Sequence, residues 1–183
     1  MKIAANISVM FRELPFLQRF SEAKRAGFDG IELQFPYDES ADALYRAAAE
    51  AGLPVVSMNS PIIPKLYPSG AAGRPEMRAE ILARCENRVR LQFDLYHAAR
   101  CELSLPAEIL RCLAIIGHVQ FADVPGRHEP GTGVIRFGDV IPALLGSGYD
   151  GWLGAEYHPT GRTEVGLGWL DQWRQQASER WTT

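Results

Sequence analysis

Three apolar segments in the second half of this sequence each end on an oxygen-bearing side chain: Asp94 in LQFDLYH, Gln120 in GHVQFAD and Glu156 in LGAEYHP. If the segments are strands of a parallel α/β barrel, their carboxyl ends converge and each delivers one oxygen to a common point. Asp, Gln and Glu are hard donors, the set suited to Mg²⁺ or Mn²⁺ rather than to zinc or copper. Each has an ordinary role as well: a helix cap for Asp94, a satisfied polar group for Gln120, a solvated carboxylate for Glu156. Their equivalent positions on three successive strands favour a site. His97, three residues past Asp94, can donate to a substrate oxygen. The loop DVPGRHEPGTG (123–133) offers Arg127 as a partner for a substrate carboxylate, unless it is a plain surface turn. Glu32 is the other carboxylate near the same rim, with a solvated strand residue as its alternative. His118 opens its strand and is read as remote from the site.

The elements that would position these residues alternate short apolar runs with amphipathic stretches, the pattern of βαβ units. Strands are expected over 3–8, 30–35, 54–59, 89–96, 118–122 and 152–156. Helices are expected over 15–26 and 40–51, each followed by a glycine suited to a left-handed cap, and over 76–85, 104–114, 137–146 and 167–180. AGFDGIEL (26–33) and SGYDGWLGAE (147–156) form a weak repeat of helix end, glycine, aromatic, Asp, Gly and strand. One stretch breaks the rhythm: the join at 60–75, rich in Pro and Gly, supports neither helix nor ordinary strand.

With 183 residues the chain is expected to form a single domain, 1–183. A net charge of −3 and no basic stripe argue against nucleic acid as a partner. No apolar run reaches the roughly 20 residues that span a bilayer, and MKIAANISVM lacks a signal-peptide core, so a cytoplasmic location is expected. Cys85, Cys101 and Cys112 form no CxxC pair and are read as free thiols.

LQFDLYH, IGHVQFADVPGRHEPGTG, GYDGWLGAEY and TEVGLGWL, with AANISVMF and IELQFPY near the start, resemble the hydroxypyruvate isomerase family. That family lies within the xylose isomerase-like TIM barrels and includes the 2-oxo-tetronate isomerases. The resemblance covers most of 3–59 and 81–173. It implies an aldose-ketose isomerase acting on a small 2-oxo acid or sugar acid through a metal-stabilised enediolate. The divalent metal would be held by Glu, Asp, Gln and Glu from four strands, of which Asp94, Gln120 and Glu156 match three, and the same resemblance makes Glu156 the catalytic base. His97 matches a substrate-side histidine, and Arg127 lies in the loop that approaches the substrate.

The chain departs from that pattern in length. Barrels of this type run to about 250 residues and eight strands, whereas about six strands are legible here. The missing part falls between Asn59 and Glu76 and includes the Glu-Pro-x-Asn strand end that carries the first metal ligand and a second acid/base carboxylate. The expected fold is therefore an incomplete or rearranged (β/α) TIM-like barrel with open edges after the third strand and before the fourth. Activity would be impaired by the deletion. The alternative function is a non-catalytic remnant that binds a ligand or a subunit, with a homo-oligomer as its expected form; a sugar epimerase or abasic-site endonuclease of the same superfamily is a third reading.

Overall fold

A computed structural model of the protein describes residues 1–59 and 90–179; the expected helix at 76–85, the join at 60–75 and Cys85 lie outside the described residues. The chain runs β1 (Lys2–Asn6), α1 (Gln18–Arg25), β2 (Gly30–Gln34), α2 (Ala41–Ala51), β3 (Val55–Asn59), β4 (Leu91–Asp94), α3 (Leu95–Arg100), α4 (Leu105–Cys112), β5 (Ile116–Phe121), α5 (Phe137–Gly146), β6 (Trp152–Ala155) and α6 (Gly168–Glu179). All six described strands are parallel and form one sheet in the order β3-β2-β1-β6-β5-β4. β1 lies beside β6, as in a barrel that closes first strand on last. Among the described residues, β3 and β4 stand at the two edges, where the sequence places the missing units.

Strand alternation divides this sheet into two chemically different faces. Paired residues in a parallel sheet point to the same side, and side chains alternate sides along each strand. One side carries Ile3, Ala5, Ile31, Leu33, Phe93, Val119, Phe121, Leu153 and Ala155, all buried. Phe121 packs on Trp169 and Trp173 of α6 with ring centroids 5.1 and 5.0 Å away, so this is the helix-covered side. The other side carries Ala4, Asn6, Gly30, Glu32, Gln34, Gln92, Asp94, His118, Gln120 and Gly154. The inner face of the sheet is polar.

The sheet is curled, and one contact demonstrates it. Three strand spacings separate β2 from β5 along the sheet, about 14 Å if it were flat. Yet Gln120 Nε2 on β5 donates to Glu32 Oε2 on β2 at 2.7 Å. The Glu32 side chain reaches across β1 and passes over β6, where Gly154 makes room for it. A Cβ at Gly154 would lie 1.9 Å from Glu32 Oε1.

Local signals behave as the sequence suggests, although β1 stops at Asn6 instead of Ser8 and β5 opens at Ile116 instead of His118, with one further difference. Ser40 caps α2 by accepting from Ala43 N–H at 3.2 Å, and Gly52 closes it in the left-handed region. In the two repeat segments Gly27 and Gly148 both adopt positive φ, so the repeat marks a shared helix-to-strand turn. The difference is at β4, which ends at Asp94 instead of continuing through Tyr96. The Asp94 carboxylate accepts from the Tyr96 and His97 N–H groups at 2.8 and 3.2 Å and starts α3 at Leu95.

Val55 and Met58 stay exposed although each pairs with a buried residue of β2, and with Leu44, Tyr45 and Ala48 they line an apolar groove.

Gly154→Ala would place a methyl group where the Glu32 carboxylate lies and so push a fully buried charge off His118 and Gln120. The expected destabilisation is about 1–3 kcal/mol, read as a lower urea midpoint; an unchanged midpoint would contradict this packing.

Candidate active site

The residues picked out in the sequence fall into two contacting groups at the carboxyl ends of the strands. The first is built on Glu32, which has no solvent exposure. The His118 imidazole meets one of its oxygens and the Gln120 amide donates to the other, while Gln92 Nε2 donates to Gln120 Oε1 at 2.5 Å. The solvated alternative for Glu32 is thereby removed, but both of its oxygens are already engaged by neighbours within the barrel. His118 is likewise not remote: it shares the inner face with Gln120, two residues on.

The second group is built on Glu156, 5% exposed, whose carboxylate pairs with the Arg127 guanidinium and whose charged form the nearby Gln34 amide favours. Burial pushes the Glu156 carboxyl up to about 7; Arg127 opposes this, while the negative charges of Asp94 and Glu32 add to it. Burial also raises the Asp94 carboxyl, with His97, Arg127 and the two helix amides pulling it back. Asp94 is thus a cap, as its ordinary reading had it, and also a member of the acidic site. His97 Nε2 lies 3.6 Å from Asp94 Oδ2, with a side chain 61% exposed on α3, so it borders the site rather than lining its floor.

The loop that brings Arg127 over the site is ordered by its first residue. The Asp123 carboxylate accepts from the backbone N–H groups of Val124, Gly131, Gly133 and Ile135 at 2.9–3.0 Å. Arg127 itself has φ of 56°, and its N–H donates to Asp123 O at 2.8 Å while its carbonyl accepts from His158 N–H at 2.8 Å. Its guanidinium stacks over the Tyr96 ring, 5.3 Å from the centroid. Glu129, 7% exposed, ties the loop to the segment after β6 by accepting from Thr160 N–H and its hydroxyl. Such a loop is no plain surface turn; it fixes one cation above a buried acid.

A divalent metal suits this donor set in kind. Asp94, Gln120 and Glu156 offer hard oxygens, and a cation among the acids would offset the burial and the lesser repulsion from Asp94 and Glu32 that raise Glu156. As arranged here the oxygens serve other partners: Glu156 holds Arg127, Asp94 its helix, Gln120 the Gln92 amide. Among the described residues, no three His, Cys, Asp or Glu side chains gather into a ready-made cage.

Sequence reasoning missed His118, Gln92, Gln34, Asn6 and Asp123. For the first four a signal was present: each stands an even number of residues from a site residue on its own strand, or in register with one on the next. For Asp123 none was, because its partners are backbone amides of a folded loop.

A parallel, helix-covered sheet with acids converging at its strand ends defines an α/β-barrel protein of enzyme type. The sequence profile of the xylose isomerase-like TIM barrels matches residues 66–173, and the chain belongs to that family. Relatives include the 2-oxo-tetronate isomerase of Pectobacterium atrosepticum, 28% identical, with the match spanning 94% of this chain and 97% of the relative. The hydroxypyruvate isomerase of Escherichia coli is 26% identical, spanning 95% and 100%. The crystal structure of an AP endonuclease of family 2 from Brucella melitensis superposes with a TM-score of 0.76 at 28% identity, covering 93% of this chain and 98% of that one. The 3-keto-D-glucoside 4-epimerase of E. coli, 19% identical with a TM-score of 0.67 over 94% and 99%, shares the fold. The first of these alignments has 255 positions against a chain of 183 residues, which leaves at least 72 positions of the relative unmatched inside a nearly full-length match. The shortening is internal.

Because folded Glu156 holds its proton up to about pH 7 and the ordinary value is 4.5, stability is fully present below pH 4.5 and declines as pH rises through 7. The expected slope is at most about 1.4 kcal/mol per pH unit, measured by urea unfolding from pH 4.5 to 8. Glu156→Gln flattens that slope; an equally steep variant would place the titrating group elsewhere.

Proposed function

We propose that the protein is an aldose-ketose isomerase of the hydroxypyruvate isomerase type, interconverting hydroxypyruvate and tartronate semialdehyde or a related 2-oxo sugar acid. The observation that carries this reading is Glu156: a buried carboxyl held near neutrality at a strand end, beside Asp94 and under the guanidinium of Arg127. A general base works best with a pKa close to the working pH. The names of the relatives supply the reaction class.

Arg127 neutralises the substrate carboxylate. On binding it, the guanidinium leaves Glu156, and loss of that attraction makes the Glu156 carboxylate a stronger base when the substrate is in place. Glu156 takes a proton from the hydroxymethyl carbon, giving an enediolate, and returns it to the neighbouring carbon on the same face while the hydroxyl proton passes between the two oxygens. One base suffices for this shuttle, at a lower rate than two. Asp94, Gln120 and Glu156 would hold Mg²⁺ or Mn²⁺, which when bound supplies Lewis-acid stabilisation of negative charge on the substrate oxygens.

A nuclease reading, prompted by the Brucella structure, has less support: the net charge is −3, where a phosphate backbone calls for a basic face. A second reading, a subunit-binding remnant, is favoured by one observation, the apolar groove left at the β3 edge by exposed Val55 and Met58. Sedimentation equilibrium tests it: concentration-dependent self-association that Met58→Glu abolishes supports the remnant, and a monomer at all concentrations removes it.

The isomerase is tested by a coupled assay of hydroxypyruvate turnover with Mg²⁺ or Mn²⁺ and again with chelator. Glu156→Gln is expected to lower kcat by about 10²–10⁴-fold, and Arg127→Ala to raise KM roughly tenfold or more. Folded wild-type protein without turnover on any 2-oxo acid would defeat the proposal.

A further inference from the structure

Asn6, the last residue of β1, has no solvent exposure and is held on the inner face between the two acidic groups. It is in register with Glu32 on one side. On the other side Ala5 pairs with Ala155, so Glu156, one residue further, falls level with Asn6. Its Oδ1 accepts from Ser8 N–H at 3.2 Å, which helps turn the chain out of the strand. Its Nδ2 has no hydrogen-bond partner among the described residues.

A buried amide N–H₂ left unpaired costs about 1–3 kcal/mol, and the surroundings offer no internal remedy. Rotating the amide would set Nδ2 against the Ser8 N–H, donor against donor. The flanking carboxylates face other partners, Glu32 meeting His118 and Gln120 and Glu156 meeting Arg127, and neither accepts from Nδ2. The missing partner must be an acceptor, because an amide nitrogen of this kind only donates and repels a metal cation. It must also arrive from the mouth of the barrel, on the side where Arg127 awaits a carboxylate.

We propose that Asn6 is a substrate-binding residue whose Nδ2 donates a hydrogen bond to an oxygen of the bound 2-oxo acid. The inference rests on the isomerase reading above and adds to it the group that grips the substrate from the β1 side. It also separates two functions of one side chain: Oδ1 builds the turn, and Nδ2 serves the ligand. An aspartate would build the same turn without the donor.

The test is a thermal-shift titration of the full chain with hydroxypyruvate, in which the rise of Tm with concentration reports Kd. Wild type, Asn6→Leu and Asn6→Asp are compared at pH 8. The expected result is binding about tenfold weaker or more in both variants, with the ligand-free Tm of Asn6→Leu within a few degrees of wild type. If Asn6→Leu fails to fold, Asn6→Asp decides, since it keeps the acceptor for Ser8. Wild-type affinity in a folded variant overturns the role of Asn6 and leaves the isomerase reading standing. A wild-type protein whose Tm does not respond to hydroxypyruvate or other 2-oxo acids overturns both.

Discussion

A carboxylate with no access to water governs the interior of this protein. Glu32 extends from β2 across the inside of the sheet, and an isolated buried charge of this kind is tolerated only when its oxygens are paired. His118 and Gln120 of β5 provide the pairing, and Gly154 of β6 provides the space. These contacts tie the second strand to the fifth over the two strands between them and so hold the curl of the sheet. They also orient Gln120, one of the three oxygen donors at the strand ends.

Above that layer the electrostatics change sign of purpose. Glu156 is buried too, but its cation comes from a loop rather than from the barrel wall, and that loop is held by backbone amides converging on Asp123. The lower pairs are internal and permanent in character; the upper pair joins the wall to a segment that also faces the mouth. A site of this construction can exchange one partner for a ligand without disturbing the layer beneath. Asn6 lies between the two regimes, with its acceptor half in the framework and its donor half unpaired.

The internal shortening falls between β3 and β4, so that it borders Asp94 but leaves the neighbouring strands paired. β1, β6, β5 and β4, which carry Asn6, Glu156, Gln120 and Asp94, are contiguous in the sheet, whereas the described edges are β3 and β4. The residues that remain are therefore mutually supported by strand pairing and by the aromatic packing of α6 on β5.

Much of the architecture was legible because its causes are local. Period-two alternation of polar and apolar residues marked the strands, 3.6-residue spacing marked the helices, and glycines with positive φ marked their ends, so the parallel class and the six described strands could be read directly. The extension of β4 to Tyr96 failed on a local competition, since Asp94 caps a helix more strongly than its apolar neighbours extend a strand. The pairings could not be read at all: His118 and Gln120 with Glu32 and Arg127 with Glu156 join residues 29 to 88 positions apart, and the Asn6 amide is left without a partner among the described residues. The sequence by itself determined which side chains share the inner face, because alternation along a strand is a property of the backbone. Only the tertiary structure decided which of them neutralise one another and which donor is left over, because curling the sheet is what brings distant strands within hydrogen-bond reach.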